Sequence, residues 1–380
     1  MFWIVGADTL VRGLRSMSDT GFTGFLTTQL QHAKWEGFRF YDLIYPLFVF
    51  IVGVAAVFSL TRIIEREGRA AAVKRIVRRS VLLFALGIFT SGGLANQWPS
   101  IRLMGVLNQI ALGYLFAGSL FCFLRTRGLV AACILFLGGY WAMMTFVPFP
   151  DVRPTPDTVV IAKETGFTNT AQLNLSSTNL LRGVFDRGVN LACYVDQKYL
   201  PGSKYDGTWD WAGLLSTLGV IGTCLLGVFA GLLLKNSAVS DQRKVLLLIG
   251  FGIAGVALGW LWGLQFPVIK KIWTSSYALV AGGYSAILLG VFYLIVDVWQ
   301  RRTWCQPFVW IGMNAITVYV GGGIIGFRGI ATRVAGGDIQ NFLNTQVTRG
   351  LGDMAISLIG LLLAIGFCRF LYKRKIFLRL

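Results

Sequence analysis

Charged side chains are scarce in this chain, at 14% of its 380 residues against 55% hydrophobic. An ordinary soluble domain carries about 25% charged and roughly 45–50% apolar residues, so a soluble fold is excluded. Histidine is scarcer still: there is 1 in the whole sequence. A histidine-rich metal centre is therefore ruled out, and any imidazole chemistry falls on His32. The 6 cysteines show no C-x-x-C spacing. Cys122, Cys133, Cys224 and Cys368 sit inside apolar runs, Cys305 follows Arg301-Arg302, and Cys193 stands alone in a polar stretch. Neither a disulfide framework nor a zinc site is built from such placements, and no metal is expected. Acidic residues are outnumbered 17 to 35 by basic ones, a formal net charge of +18. The cations occupy short connections between apolar blocks and form no basic face interleaved with aromatics, which excludes a nucleic-acid partner.

What the chain has in abundance is long apolar runs, among them 43–60, 103–124, 214–234 and 356–371. About 20 apolar residues wound as a helix match a bilayer's hydrocarbon thickness and satisfy their own backbone hydrogen bonds there. Helices are expected at 43–60, 80–95, 103–124, 128–147, 211–234, 245–265, 274–297, 307–326 and 351–371. The fold class is all-α, a polytopic transmembrane bundle of about ten helices. The opening run 1–11 reads as the outer end of a first helix whose beginning is missing. Residues 1–380 form one transmembrane domain, in which 150–210 is the single long polar insertion. That insertion is rich in Asn, Thr, Asp and Pro and reads as a partly folded lid or substrate platform, since loops of that length are commonly functional.

Charge sets the orientation. Arg62, Arg66, Arg69, Lys74, Arg75, Arg78 and Arg79 crowd one connection, and Arg125/Arg127, Lys235/Arg243/Lys244, Arg301/Arg302 and Lys373–Lys375 recur at every second connection after it. The positive-inside rule makes that side cytoplasmic and places 150–210 on the outer side. In a bacterium this is the inner membrane, with the lipid bilayer as the chain's constant partner. A homodimer is left open.

His32 precedes the run that starts at Leu43, on the outer side by this topology, and Asp42 follows it by ten residues. Asp42 opens a helix where the dipole favours an anion; it either caps that helix or orients the imidazole. Given a carboxylate to hold its ring, His32 serves as general base or nucleophile; otherwise it is an interfacial residue beside Trp35. Trp35 either stacks on a sugar ring or belongs to the aromatic belt. Asn314 lies within an apolar run, where an amide must be bonded; it is interhelical glue or lines the reaction site. Arg78 and Arg79 meet an anionic cofactor or serve topology alone, and Arg102 and Lys270 contact a ligand or anchor at the interface.

The segments around these residues resemble the heparan-alpha-glucosaminide N-acetyltransferase family. His32-Ala33-Lys34-Trp35-Glu36-Gly37 resembles its H-x-x-W-x-G, and 42–53 its D-L-x-x-P-x-F-x-F-x-x-G. Further matches follow in order. They are Arg102 to Leu107, Tyr194-Val195-Asp196, Trp209-Asp210 with Gly213 to Thr217, Pro267 with Lys270, Trp273, Ser276 and Tyr277, and Gly312 to Gly321. Departures are Gln109, Ile269 and Gly322, where the family carries Arg, Asn and His.

The resemblance implies an acetyltransferase that takes acetyl from cytoplasmic acetyl-CoA, a co-substrate, and delivers it across the membrane to the amine of a glucosamine-type sugar or glycan. It makes His32 catalytic; on that reading Asp42 would hold the ring's tautomer, Asn314 would bond the developing oxyanion, and Arg78, Arg79 and Arg102 are the candidates for acetyl-CoA. Trp35, Lys270, Trp273 and Asp196 are assigned to the sugar. The rival readings are an amino-sugar permease and a membrane scaffold; the few acidic residues within the spans argue against proton-coupled transport.

Overall fold

The computed structural model describes residues 20–153 and 177–377, with 2, 3, 6, 10, 11, 13 and 14 before them; side chains 94 and 323–325 are outside the description. The expectation for the opening run falls largely outside these residues. In chain order the principal elements are α1 (Gly21–Gln29), α2 (Phe40–Thr90), α3 (Val106–Phe123), α4 (Thr126–Phe146), β1 (Phe149–Pro150), β2 (Leu180–Leu181), β3 (Phe185–Asp186), β4 (Val189–Asn190) and α5 (Leu191–Tyr199). They continue with α6 (Ser216–Lys235), α7 (Asp241–Gly263), α8 (Ser275–Tyr293), α9 (Gln306–Met313), α10 (Ala315–Ile325), α11 (Phe327–Ala335), α12 (Asp338–Phe342) and α13 (Leu351–Lys373). Among the described residues 7 helices are long and apolar enough to cross a membrane. The chain is a polytopic helical membrane protein.

It divides into two compact units. One comprises Ala33–Phe38 and Tyr45–Val291. Its largest departure from expectation is α2, a helix of 51 residues that absorbs the basic connection 62–79 and is broken only at Gly68 (φ 85°, ψ 174°). A side chain at that φ is strained, so glycine stands at the break. In an unbroken helix Leu60 and Ile76 would lie about 24 Å apart. Instead both sit within 3.5 Å of where a Cβ on Gly118 would be, and Ala56, Leu60, Ala72, Ile76, Tyr114 and Cys122 form one buried cluster. At the other end of α3, Tyr45 bonds to Gln109 and the Phe84 carbonyl accepts from Asn108. The two arms of α2 are thus antiparallel, and the basic tip is helical hairpin rather than loop. Pro46 lies inside the first arm, not in its first turn as its usual placement suggests; lacking an N–H, it cannot donate to the carbonyl of Asp42.

Close helix crossings use glycine. A Cβ on Gly53 would fall 2.1 Å from the Cys224 carbonyl oxygen, and one on Gly227 would fall 1.9 Å from that of Phe50. The first arm and α6 therefore touch backbone to backbone, the contact that small residues permit in membranes. The 150–210 insertion closes on itself: Phe149 pairs with Leu181 and Pro150 with Leu180, and a second tight pair joins Phe185 to Asn190. α5 follows, with the Asn190 side chain accepting from the Cys193 N–H at its start.

The other unit comprises Met1–His32, Arg39–Ile44 and Phe292–Leu380. The helix expected at 307–326 is broken at Asn314, whose N–H reaches back only to the Ile311 carbonyl. Phe327, Ala331 and Ala335, four residues apart, bury one face of α11, with Ala331 and Ala335 packed on Ile356 and Ile359 of α13.

Candidate functional site

Around His32 the geometry follows from two helix ends. Thr20 and Thr23 close a capping box that starts α1, and the chain turns at its far end to present His32. The Gln29 side chain accepts from the Phe40 N–H at 3.1 Å. Asp42 stands in the first turn of α2, and its Oδ2 accepts from the Arg39 N–H at 3.2 Å, as an acidic third residue does in a capping box. Its Oδ1 lies 2.8 Å from His32 Nδ1. Asp42 therefore both caps and orients. Its side chain is buried, with 1% exposed, whereas 54% of the His32 side chain is accessible. A carboxylate accepts only, so Nδ1 carries the proton and Nε2 the lone pair. The Tyr41 ring lies 4.8 Å from the imidazole, and Arg39 Nη1 donates to the His32 carbonyl at 3.3 Å.

The next residues of the same motif belong to the other unit and are anchored there. Trp35 Nε1 donates to the Phe185 carbonyl at 2.8 Å, and its ring meets Trp209 edge-on at 5.7 Å. Glu36 bridges Ile269, and Gly37 (φ 108°) donates to the Val268 carbonyl at 2.9 Å. Glu36 and Gly37 are thus pinned to the segment that carries Lys270 and Trp273.

A second set of motifs meets at Asp210. Arg102 grips it with Nε and Nη2, each at 2.8 Å, the bidentate geometry guanidinium favours. Asp196, 1% exposed, accepts from the Leu214 N–H at 2.8 Å and the Asp210 N–H at 3.3 Å. A Cβ on Gly213 would fall 1.9 Å from its Oδ2. Burial pushes the Asp196 carboxyl up to about 7, against the pull of those N–H bonds. Lys271 bonds Asp206 at 2.9 Å and lies 5.4 Å from the Trp209 ring. The arrangement is a stiff polar platform carrying aromatic faces.

The other expected site residues are placed differently. Trp273 is fully buried, its Nε1 donating to Thr223 Oγ1 at 3.0 Å; it supports the platform and presents no surface. Lys270 is half-buried and Arg78 exposed. The Arg79 guanidinium lies 4.8 Å from the Tyr114 ring. Asn314 Nδ2 donates to the Trp310 carbonyl at 3.2 Å, which the helix break leaves available. Gln109, a departure from the family pattern, and Ser216, inside a matched segment, carry bonds that the sequence did not assign: Tyr45 donates to Gln109 Oε1 and Gln109 Nε2 to Ser216 Oγ, both at 2.9 Å, inside the bundle. The available signal was an Asn108-Gln109 pair in the middle of an apolar run, since intramembrane polar groups demand partners. Among the described residues no group of three or more His, Cys, Asp or Glu is placed to hold a metal.

Residues 13–168 match the model of a family described as heparan-alpha-glucosaminide N-acetyltransferase, catalytic. The chain is 29% identical over 327 residues to heparan-alpha-glucosaminide N-acetyltransferase from Homo sapiens, with 77% of this chain and 48% of that protein covered. The protein of the same name from Mus musculus is 27% identical over 345 residues, with the same shares covered. The chain spans about half the length of these curated relatives. The resemblance read from the motifs is borne out.

Proposed function

We propose that this protein is an acetyltransferase that moves acetyl from cytoplasmic acetyl-CoA to the amine of a glucosamine-type sugar on the far side of a bacterial inner membrane. The observation that carries the reading is the 2.8 Å bond between the buried Asp42 carboxylate and the chain's single imidazole, in a family-matched segment. A histidine so held is oriented, fixed in tautomer, and stabilised when protonated.

In this mechanism Nε2 takes a proton from the sugar amine as its nitrogen attacks the thioester carbonyl. The carbon–sulfur bond breaks, and the leaving thiolate takes the proton back from the imidazolium. Asp42 balances the transient positive charge. Asn314, with one amide hydrogen committed to Trp310, keeps the other for the developing oxyanion. Trp35 and the Asp196–Asp210 platform hold the sugar, with Lys270 at its edge. Arg78 and Arg79 take the donor's phosphates, while Arg102 stays with Asp210. Residues 1–380 act as one domain, with 150–210 its lid. The cation-rich connections support the assigned sidedness.

The test is acetyl transfer from labelled acetyl-CoA to glucosamine by the full chain in lipid nanodiscs. His32→Ala is expected to lower the rate at least about a hundredfold. Full activity of that variant refutes the mechanism. Uptake of labelled sugar into proteoliposomes without acetyl-CoA would make the protein a permease.

A further inference from the structure

Arg39 lies between the motif segments 32–37 and 42–53 and belongs to neither. It is nonetheless bonded to both halves of the dyad. Its backbone N–H donates to Asp42 Oδ2 at 3.2 Å, and its Nη1 donates to the His32 carbonyl at 3.3 Å. With the 2.8 Å contact between Asp42 Oδ1 and His32 Nδ1, these bonds close a ring. It runs from the imidazole to the carboxylate, through Arg39, and back to the main chain that carries the imidazole. Gln29 adds a parallel link, its Oε1 accepting from the Phe40 N–H at 3.1 Å.

The members of that ring are held unequally. Asp42 is buried in the first turn of α2, where the helix sets its backbone. His32 follows α1 in irregular chain, so no helix ladder sets its main chain, and 54% of its side chain is accessible. Water competes for an imidazole so exposed, and the bond to Asp42 lasts only while the His32 backbone stays in place. A donor on the His32 carbonyl supplies that restraint. Arginine suits the task because its guanidinium stays charged at any working pH and its fork is rigid.

We propose that Arg39 is a positioning residue for the transfer: it holds the His32 main chain where Nδ1 meets Asp42, which keeps Nε2 as the proton acceptor. The inference rests on the acetyl-transfer reading and adds to it a residue that acts through the imidazole.

The chain has 1 histidine, so the full chain labelled with 15N-histidine in lipid nanodiscs reports on that ring alone. The neutral ring of the wild type is expected to show one tautomer, protonated at Nδ1. Arg39→Met keeps the apolar stem and removes the donors, and its ring should populate both tautomers. In the acetyl-transfer assay Arg39→Met should lower kcat about tenfold, the scale of one bond to a charged donor, with KM within about twofold. Arg39→Lys still donates and should recover most of that loss. Added to His32→Ala, Arg39→Met should change the residual rate by less than about twofold, because the two act as one unit. A wild-type tautomer or a wild-type kcat in Arg39→Met overturns the proposal. So does an undiminished loss in the His32→Ala background, or a lowered unfolding temperature that Arg39→Lys does not restore. A wild type that transfers no acetyl while its tautomer still depends on Arg39 overturns the acetyl-transfer reading and leaves the positioning of the imidazole standing.

Discussion

Replacing Asp42 with Asn keeps the shape of the side chain and removes its charge. In the proposed step an imidazolium forms 2.8 Å from a carboxylate that is itself buried. With charge centres about 4 Å apart and an effective dielectric constant of about 20, the attraction is about 4 kcal/mol. The His32 side chain is 54% exposed, so solvent screening roughly halves that figure, to about 2 kcal/mol. Loss of the tautomer restores part of the difference, since an Asn amide can turn its NH2 toward Nδ1. The expected fall in kcat is therefore about 30- to 1,000-fold, with KM little changed. The assay is steady-state acetyl transfer at pH 7 on Asp42→Asn, His32→Ala and the double variant. Because the two residues act as one unit, the double variant should be no slower than His32→Ala alone. A kcat for Asp42→Asn within threefold of wild type, or strictly multiplicative losses in the double variant, refutes the dyad.

Three further outcomes follow from the platform. The Asp196 carboxyl titrates near 7 in the folded protein and about 3.9 when unfolded, so the native state holds the proton more tightly. The Asp196 contribution to stability is then largest in acid and is lost as pH rises through 7; between pH 8 and pH 5 it should make unfolding harder by about 3 kcal/mol, and Asp196→Asn should remove that part of the dependence. Removing Arg102 leaves the buried Asp210 carboxylate with backbone N–H donors but without this counter-ion, so Arg102→Ala should cost about 3–5 kcal/mol of stability in a denaturation measurement. A Cβ on Gly202 would fall 1.9 Å from the Ile101 carbonyl oxygen at a φ of 83°, so Gly202→Ala should lower the unfolding temperature markedly by differential scanning fluorimetry, with Gly250→Ala, where nothing lies within 4 Å, as the neutral comparison.

Much of the architecture was legible because a bilayer imposes length and polarity on each span separately. The runs at 103–124, 128–147, 245–265 and 351–371 anticipate α3, α4, α7 and α13 to within a few residues. The connection 62–79 misled because charge density reads as loop, whereas helix propensity carries Arg, Lys, Glu and Ala through everything but Gly68. At the site, a lone histidine and an aspartate ten residues on were visible as candidates, and the break after α1 that brings them within 2.8 Å was not. Trp273 shows the opposite error: a motif tryptophan suggested a sugar face, and packing put it wholly inside.

Amino-acid order alone determined that this chain is a polytopic membrane protein, where most of its long apolar helices lie, and which imidazole is available for chemistry, because each of these is a local property of composition. Only the tertiary structure decided that Asp42 serves two bonds at once and that Arg102 belongs to Asp210 across more than a hundred residues. Those depend on which helix faces meet, and pairing of faces is settled by packing and hydrogen-bond satisfaction across the whole fold.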